Sequence, residues 1–234
     1  MNKKYEFVKG DTLTLATGAV LHRIRAVRDI PRRWVKAGDL GGYIKKRSNL
    51  SEESDAWVYG NARVSGNAQV YGDAWVYGDA WVYGNARVSG IAQVYGNAQV
   101  YGDAWVYGNA RVSGDARVSG NAQVYGDARV YGNAQVSGNA RVSGNARVSG
   151  DARVSGNAQV YGDAQIEECS EAGCFSNVGS QKGTLTYYRT KKSIGVTRGC
   201  FSGTLEEFEA AVEKTHGDNP VSYTHLTLPT ICSV

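Results

Sequence analysis

The sequence contains few of the residues that interrupt or cross-link a folded chain. Its 234 residues include three prolines, one methionine and four cysteines. No two of the cysteines form a Cys-x-x-Cys pair, so reduced thiols are expected. No run approaches the roughly 20 apolar residues of a membrane-spanning helix, and the sequence therefore predicts no membrane partner.

The first residues also lack the pattern of a secretory leader. Lys3 and Lys4 are followed by Glu6 and Asp11 instead of an apolar segment, so we expect a soluble, cytoplasmic protein. The formal net charge is +4, and residues 1–54 contain twelve Lys and Arg against six Asp and Glu. This basic excess is compatible with nucleic acid or an acidic partner, although a solvated surface is the commoner explanation.

What the sequence has in abundance is a six-residue repeat. Nineteen consecutive units of the form [DN]-A-[WRQ]-V-[YS]-G occupy residues 55–168 without an insertion. The second position is always Ala, the fourth is Val except at Ile166, and the sixth is Gly except at Glu168. The first position is Asn or Asp except at Ile91. Such an array indicates a solenoid in which each repeat contacts its neighbours.

The period of six favours strands over helices. Six is a multiple of two and not of 3.6, so the Ala and Val positions lie on one side of a strand. A helix would scatter the valines and would contain a glycine, which costs about 1 kcal/mol relative to Ala, in every unit. We predict short Ala-x-Val strands joined by corners at [YS]-G-[ND], where Gly and Asn or Asp tolerate a left-handed backbone. Three units per triangular coil give about six coils, stacked about 4.8 Å apart.

The run Val-Tyr-Gly-Asp-Ala-Trp resembles the hexapeptide repeat of left-handed β-helix proteins. The resemblance covers residues 55–168 and implies an all-β, single-stranded, left-handed parallel β-helix; the handedness comes from the resemblance alone. Well-known members are acyltransferases with a histidine general base, and others hold zinc with three histidines. Here His22, His216 and His225 all lie outside the repeats, and the unbroken period leaves no room for an extruded loop. No catalytic residue, metal site or cofactor is therefore expected.

Two further polar features are interpreted without a catalytic role. His22 alternates with Leu21 and Ile24 in a predicted strand and is expected to be an exposed or capping residue. Cys169 and Cys174 follow the last unit and are expected to be small, buried residues of the closing coil.

The third and fifth positions of the unit vary and are predicted to point outward. Each Trp of the repeat is followed two residues later by Tyr, whereas Arg is followed by Ser in seven of eight units. At eighteen-residue spacing, one column is predicted to contain Trp57, Trp75, Gln93, Arg111, Arg129 and Arg147. Another is predicted to contain Arg63, Trp81, Gln99, Arg117, Gln135 and Arg153. The candidate binding residues are Trp57, Tyr59, Trp75, Tyr77, Trp81, Tyr83, Trp105 and Tyr107.

Three interpretations of these columns stay open. They form a contact surface for a protein or glycan partner or for a second copy of the chain. They stabilise neighbouring coils through ladders of like side chains. Alternatively, they arose by duplication without selection for a ligand. Stacked arginines would repel one another, but the repeats contain eight Asp for eight Arg. We therefore expect local neutralisation and no nucleic-acid binding.

The flanking segments are predicted to close both ends of the solenoid. Residues 1–43 are expected to form a cap of two or three strands with turns at Gly10 and Gly18. The solenoid is expected to span residues 44–180, because Ile44 and Leu50 continue the spacing of the Ala column. Residues 181–220 are expected to form a second cap, with a hairpin of residues 185–189 against 194–198.

A helix is predicted after this hairpin. Thr204 and Glu207 form a capping box, and Leu205, Phe208 and Val212 supply an apolar stripe. The string KAGDLGGYI, the repeat array and the string GCFSGTLEEFEAAVEKTHGD together resemble hexapeptide-repeat proteins of bacteriophages and their gut-bacterial hosts. That resemblance implies no reaction, and it implies the host cytoplasm or the virion as the location. The string SYTHLTLP resembles a translated sequencing adapter of metagenomic reading frames, so residues 221–234 are expected to be non-native.

Two function classes follow from these observations. The first is a non-catalytic structural or binding module that presents Trp/Tyr and Arg/Ser columns on a rigid solenoid. The alternative is an acyltransferase-like enzyme that uses acyl-CoA at a subunit interface, with His22 or His216 as its base.

Overall fold

The chain forms a parallel β-solenoid with a cap at each end. The computed structural model describes residues 3–178 and 182–216. The predicted all-β solenoid, with an N-terminal β cap and a C-terminal hairpin and helix, is confirmed; its left-handedness stays a prediction. The segment predicted to be non-native, with His225 and Cys232, lies outside the described residues. Within the described ranges, no helix is long and apolar enough to cross a membrane.

The solenoid consists of two-residue strands, each formed by the third and fourth positions of a unit. In chain order, strands β4 to β22 are Trp57–Val58, Arg63–Val64, Gln69–Val70, Trp75–Val76, Trp81–Val82, Arg87–Val88, Gln93–Val94, Gln99–Val100, Trp105–Val106, Arg111–Val112, Arg117–Val118, Gln123–Val124, Arg129–Val130, Gln135–Val136, Arg141–Val142, Arg147–Val148, Arg153–Val154, Gln159–Val160 and Gln165–Ile166.

These strands stack into three parallel sheets, one on each side of the prism. The first face contains β5, β8, β11, β14, β17 and β20, preceded by β3 (Leu40–Ile44). The second face contains β4, β7, β10, β13, β16, β19 and β22, and the third contains β6, β9, β12, β15, β18 and β21. The solenoid therefore has about seven coils, and residues ahead of the perfect repeats supply the additional one.

The repeat explains this stacking directly. The Ala and Val side chains of the units are buried in one continuous core. Backbone N–H groups donate to the next coil, as from Trp75 to the Ala92 carbonyl at 2.9 Å and from Tyr77 to the Val94 carbonyl at 3.0 Å. Each coil thus supplies the hydrogen-bonding edge for the next, and the strands need only two residues because the corners continue the ladder.

The corners depend on glycine. Gly90, for example, has a φ of +66°, and a Cβ built on it would lie 2.9 Å from the backbone nitrogen of Gly108 in the next coil. Any larger residue would be strained by the backbone conformation and would also contact the neighbouring corner. The predicted left-handed corner is confirmed, but within residues 55–168 only the glycines adopt positive φ values. The Asn and Asp positions keep negative φ.

The first coil joins the repeats with a different spacing from the predicted one. Ile44 pairs with Val64, and Leu50 forms a bridge with Val70, so the spacing is twenty residues and not eighteen. Both side chains therefore continue the Val column, and their predicted place in the Ala column is wrong. The physical reason is that the segment ahead of Ala56 is two residues longer than a regular coil. This shifts the pairing from the Ala position to the Val position, which lies two residues later in the unit.

The N-terminal cap is an antiparallel extension of the first face. Strand β1 (Tyr5–Thr14) pairs with β2 (Val20–Ala26), and β2 pairs with β3. The turn at Gly18 is confirmed, but Gly10 lies inside β1, where the pairing shifts between Phe7 and Thr12, and the predicted turn there is wrong. Two 3-10 turns complete the cap, at Pro31–Arg33 and Arg47–Asn49.

Two side chains of this cap are buried against the first coil. Lys4 is fully buried, and its Nζ donates to the carbonyls of Ser54 and Ala56, both at 2.9 Å. Desolvation lowers the pKa of Lys4 to about 8. Tyr5 is also buried, with its hydroxyl 3.0 Å from the carbonyl oxygen of Arg47. Burial raises the pKa of Tyr5 well above its ordinary value. These polar groups satisfy carbonyls that would otherwise be left unpaired where the ladder starts.

The C-terminal cap is larger than the predicted hairpin. Strand β24 (Gly183–Arg189) pairs with β25 (Ile194–Arg198), as predicted, and β23 (Ala172–Val178) and β26 (Phe201–Thr204) extend the sheet to four strands. Helix α1 (Leu205–His216) packs on it through Phe208. The capping box is confirmed by reciprocal hydrogen bonds of Thr204 with Glu207.

The sheet also binds the last coils and changes the environment of the cysteines. Thr186 Oγ1 accepts the N–H of Gln159 at 2.9 Å, and Thr197 Oγ1 donates to the Gln159 carbonyl at 2.8 Å. Cys169 is exposed in a 3-10 turn (Cys169–Glu171), and Cys174 is half-buried. Their predicted burial in a closing coil is wrong, because the antiparallel sheet, and not another coil, covers the solenoid at this end.

Candidate functional site

The outward-facing third positions form the predicted columns. On the second face, the paired third positions are Trp57, Trp75, Gln93, Arg111, Arg129, Arg147 and Gln165. On the first face they are Arg63, Trp81, Gln99, Arg117, Gln135 and Arg153. The third face has Gln69, Arg87, Trp105, Gln123, Arg141 and Gln159. The aromatic residues lie in the N-terminal coils and most arginines in the C-terminal coils, as the spacing predicts.

Trp57 does not lie on an open surface. The residue is completely buried, and its ring meets Tyr5 edge-to-face at a centroid distance of 6.4 Å. Its expected exposure is wrong, because the N-terminal cap covers the first coil at this point. Tyr59, the next candidate, is half-buried and donates its hydroxyl hydrogen bond to the Arg33 carbonyl of the cap.

Trp75 is partly covered by the same cap. The guanidinium of Arg33 lies 4.8 Å from the centre of the Trp75 ring, a cation–π arrangement. Tyr77 stacks on Tyr95 of the next coil with a centroid distance of 4.8 Å and an interplanar angle of 2°. Burial raises the pKa of Tyr77. The sequence provided no signal for the contact with Arg33, because that residue is in the cap and distant along the chain.

Trp81 and Trp105 repeat one arrangement on two different faces. Trp81 donates its Nε1–H to Ser65 Oγ at 3.3 Å, and its ring lies 4.5 Å from that of Tyr83. Tyr83 stacks on Tyr101 at 4.9 Å. In the same way, the indole of Trp105 donates to Ser89 Oγ at 3.2 Å, its ring lies 4.6 Å from that of Tyr107, and that ring stacks on Tyr125 at 4.9 Å.

Burial raises the pKa of Tyr83 and of Tyr107 in these clusters. Trp75, Trp81 and Trp105 are half-buried, as are their partner tyrosines. Each of these Trp rings packs against the ring of its Tyr partner, which removes part of its surface from solvent. The structure therefore brings each Trp together with its Tyr partner, and it distributes the pairs over three faces instead of one continuous aromatic surface.

The arginines and aspartates of the repeat are not in direct contact. Between residues 55 and 168, all of which the structure describes, no arginine forms an ion pair with an aspartate of the repeat. The expected local neutralisation stays a prediction, and it does not take the form of direct ion pairs, because the Asp side chains lie at the corners. There, Asp127 accepts a hydrogen bond from Asn109 Nδ2 at 2.9 Å, for example. The eight Asp and eight Arg of the repeats balance in number over the array, but they do not contact one another in pairs.

The histidine and cysteine residues do not form a common site in the described part of the chain. His22 lies in β2, half-buried, with its ring 5.1 Å from that of Phe7. His216 is the last residue of α1, in the cap at the opposite end. Among the described residues, no three His, Cys, Asp or Glu side chains are grouped as metal ligands.

One exposed aromatic residue was not anticipated from the sequence. Trp34 ends the first 3-10 turn with a φ of +55°, and 86% of its surface is exposed. A positive φ is rare for a bulky residue, and Trp34 lies outside the repeats, so the six-residue period predicts nothing about its exposure.

Comparison with known proteins agrees with the architecture. The family model of the YdcK beta solenoid repeat matches the array several times, at residues 56–72, 68–84, 92–108, 98–112, 104–120, 110–124, 122–138, 134–150 and 146–162. No curated protein matches the chain. With the parallel sheets described above, the matches identify the chain as a β-solenoid repeat protein whose repeats are similar to those of the YdcK solenoid.

Proposed function

We propose that this chain is a non-catalytic structural module, a stiff rod that holds its two capped ends at a constant separation. The main support is the way the outward-facing aromatic side chains connect consecutive coils. The Trp81 indole reaches back to Ser65 of the preceding coil, and Tyr83 stacks forward on Tyr101 of the following one. The Trp81–Tyr83 pair thus contacts the coils on both sides, and such contacts add stiffness along the axis.

The corner amides make a second set of axial contacts. Eight Asn side chains each donate from Nδ2 to the Oδ1 of an Asn or Asp eighteen residues later, at 2.9–3.2 Å. Individually these exposed hydrogen bonds contribute little, on the order of 1 kcal/mol or less. Repeated along the corners, they favour the same register as the aromatic contacts and support a rod of fixed length.

The proposal includes a partner for the rod. This partner is a protein, a glycan or a second copy of the chain, and it binds at the caps or along the exposed columns. The resemblance to phage and gut-bacterial proteins supports a phage-encoded origin, with a location in the host cytoplasm or the virion.

The test compares two substitutions on the first face. Trp81→Gln introduces the residue that the repeat itself uses at this position, so the backbone is preserved. We expect it to lower the free energy of unfolding by about 1–3 kcal/mol, because it removes an aromatic pair worth about 0.5–1.5 kcal/mol and a hydrogen bond worth about 0.5–1.5 kcal/mol. The control Arg117→Gln, at an exposed position two coils later, should change it by less than about 0.5 kcal/mol.

Denaturant unfolding monitored by circular dichroism gives both values. Equal stability of the Trp81→Gln variant and the wild type would show that Trp81 does not join its coil to the preceding one, and it would remove this support for the rod. Consumption of acetyl-CoA by the wild type, abolished in a His22→Ala/His216→Ala variant, would overturn the non-catalytic proposal directly. We expect no such consumption.

A further inference from the structure

The second face carries three arginines at consecutive levels. Arg111 pairs with Arg129, and Arg129 pairs with Arg147, in adjacent strands. We call these three residues the arginine column. All three side chains are exposed. The other arginines of the repeat have no arginine at the neighbouring level of their own face; Arg117, for example, lies between Gln99 and Gln135.

The arginine column has unsatisfied charge. Adjacent levels of a parallel sheet are about 4.8 Å apart, so like charges on them repel each other. None of the three guanidinium groups forms an ion pair within the part of the chain that the structure describes. An anion placed between two levels would contact two guanidinium groups at once and relieve this repulsion, and planar guanidinium groups fit a carboxylate particularly well.

Two shallow clefts lie along the arginine column. The first, of about 270 Å³, is lined by Ile91, Gln93, Asn109, Arg111, Asp127 and Arg129. The second, of about 260 Å³, is lined by Tyr95, Arg111, Ser113, Arg129, Tyr131 and Arg147. They share Arg111 and Arg129 and lie on either side of the arginine column, the first toward the first positions of the units and the second toward the fifth positions. Each cleft spans at least three levels along the axis, so a ligand that lies over the column and reaches into both clefts must be extended and must present groups at regular intervals.

The other lining groups narrow the chemistry of that ligand. Gln93 and Asn109 have amides that both donate and accept hydrogen bonds, and the carboxylate of Asp127 only accepts them. Hydroxyl groups satisfy such a set. Tyr131 is 38% exposed, and its ring offers an apolar surface beside the charges. Carboxylates, hydroxyls and apolar ring faces occur together in acidic sugars.

A DNA strand fits these clefts less well, because its backbone has no hydroxyl group that could donate a hydrogen bond to Asp127.

We propose that the arginine column binds an extended, carboxylate-bearing polysaccharide that lies along the axis of the second face. The carboxylates of the polymer pair with Arg111, Arg129 and Arg147, and its hydroxyls bond to the amides and to Asp127. This binding site goes beyond the proposed rod and does not depend on it, because the rod is defined by contacts between its own coils.

The test uses two variants of equal charge. The column variant is Arg111→Gln/Arg129→Gln/Arg147→Gln, and its matched control is Arg117→Gln/Arg141→Gln/Arg153→Gln, which removes three arginines from the other two faces. Gln occupies the same position in seven units of the repeat, so both variants should fold, and an unfolding midpoint no lower than that of the wild type checks this. The probe is a polygalacturonate oligosaccharide titrated calorimetrically into each protein.

We expect the wild type and the control to bind the probe with similar affinity and the column variant to bind at least tenfold more weakly. Equal losses of affinity in the two variants would show that the probe is bound by general charge attraction, and they would refute the arginine column as a specific site. An absence of binding to the wild type would also overturn it, while leaving the rod proposal intact, because that proposal is tested by unfolding. Displacement of the probe by single-stranded oligothymidylate at comparable concentration would point to nucleic acid and refute the polysaccharide.

Discussion

The corner glycines provide a test of how closely the coils approach one another. Gly90 and Gly162 have nearly the same backbone conformation, with φ values of +66° and +63°. They differ in what surrounds them. A Cβ on Gly90 would lie 2.9 Å from the Gly108 nitrogen and 3.0 Å from its carbonyl oxygen, whereas a Cβ on Gly162 would have no atom within 4 Å. Replacing each by Ala therefore separates backbone strain from contact between coils.

The expected magnitudes follow from these distances. Both substitutions place a Cβ in the left-handed region, which costs about 1–2 kcal/mol. Both also reduce the freedom of the unfolded chain equally. Gly90→Ala additionally forces two backbones apart, and overpacking of this kind costs about 1–3 kcal/mol. We expect losses of about 2–5 kcal/mol for Gly90→Ala and about 1–2 kcal/mol for Gly162→Ala.

The assay is guanidinium chloride unfolding followed by far-ultraviolet circular dichroism. The slope of the transition must be compared as well as its midpoint, because long repeat arrays can lose two-state behaviour. A third variant, Gly90→Asn, serves as control. Asn tolerates the left-handed backbone but has the same Cβ as Ala. Gly90→Asn should therefore still lower the free energy of unfolding by the part that is due to contact between the corners. Equal destabilisation by Gly90→Ala and Gly162→Ala would refute the argument that adjoining corners exclude a side chain.

Two further predictions concern the caps. Burial lowers the pKa of Lys4 to about 8, from an ordinary value of 10.5. The unfolded chain therefore holds this proton to higher pH, and the free energy of unfolding should rise between about pH 8 and 10.5, by roughly 1.4 kcal/mol per unit of difference in pKa. Urea unfolding across this range should show the rise in the wild type and not in Lys4→Met; parallel profiles would contradict it. Thr204→Ala should destabilise the C-terminal cap by about 1 kcal/mol, because Thr204 Oγ1 accepts the Glu207 N–H at 3.2 Å. Hydrogen exchange of helix α1 measures this loss, which Thr204→Ser should largely avoid.

The repeat array could be predicted from the sequence because its contacts recur at constant spacing. Once Ala and Val are assigned to the interior and Gly to the corner, the pairing of Trp57 with Trp75, or of Arg111 with Arg129, follows from the eighteen-residue period. The C-terminal hairpin and the capping box of Thr204 are also local patterns, and the structure confirms them.

The ends of the solenoid could not be predicted in the same way. Trp57 has the same neighbours in sequence as Trp75 and Trp81, yet it alone is fully buried. The difference arises from Tyr5, about fifty residues earlier, which folds over the first coil. Ile44 likewise continues a column other than the one its spacing indicates, because two additional residues precede the first perfect unit. These outcomes depend on contacts between segments that share no repeat pattern.

The sequence by itself determined the coil, its interior and the order of side chains along each face. A period of six with Ala, Val and Gly at constant positions favours short strands with tight corners, and hydrogen bonding between coils then sets the columns. Only the tertiary structure decided which of these side chains remain accessible. The caps bury Trp57, place Arg33 over Trp75 and leave the arginine column open. Burial is a property of whatever folds against a surface, and here the covering segments lie outside the repeats.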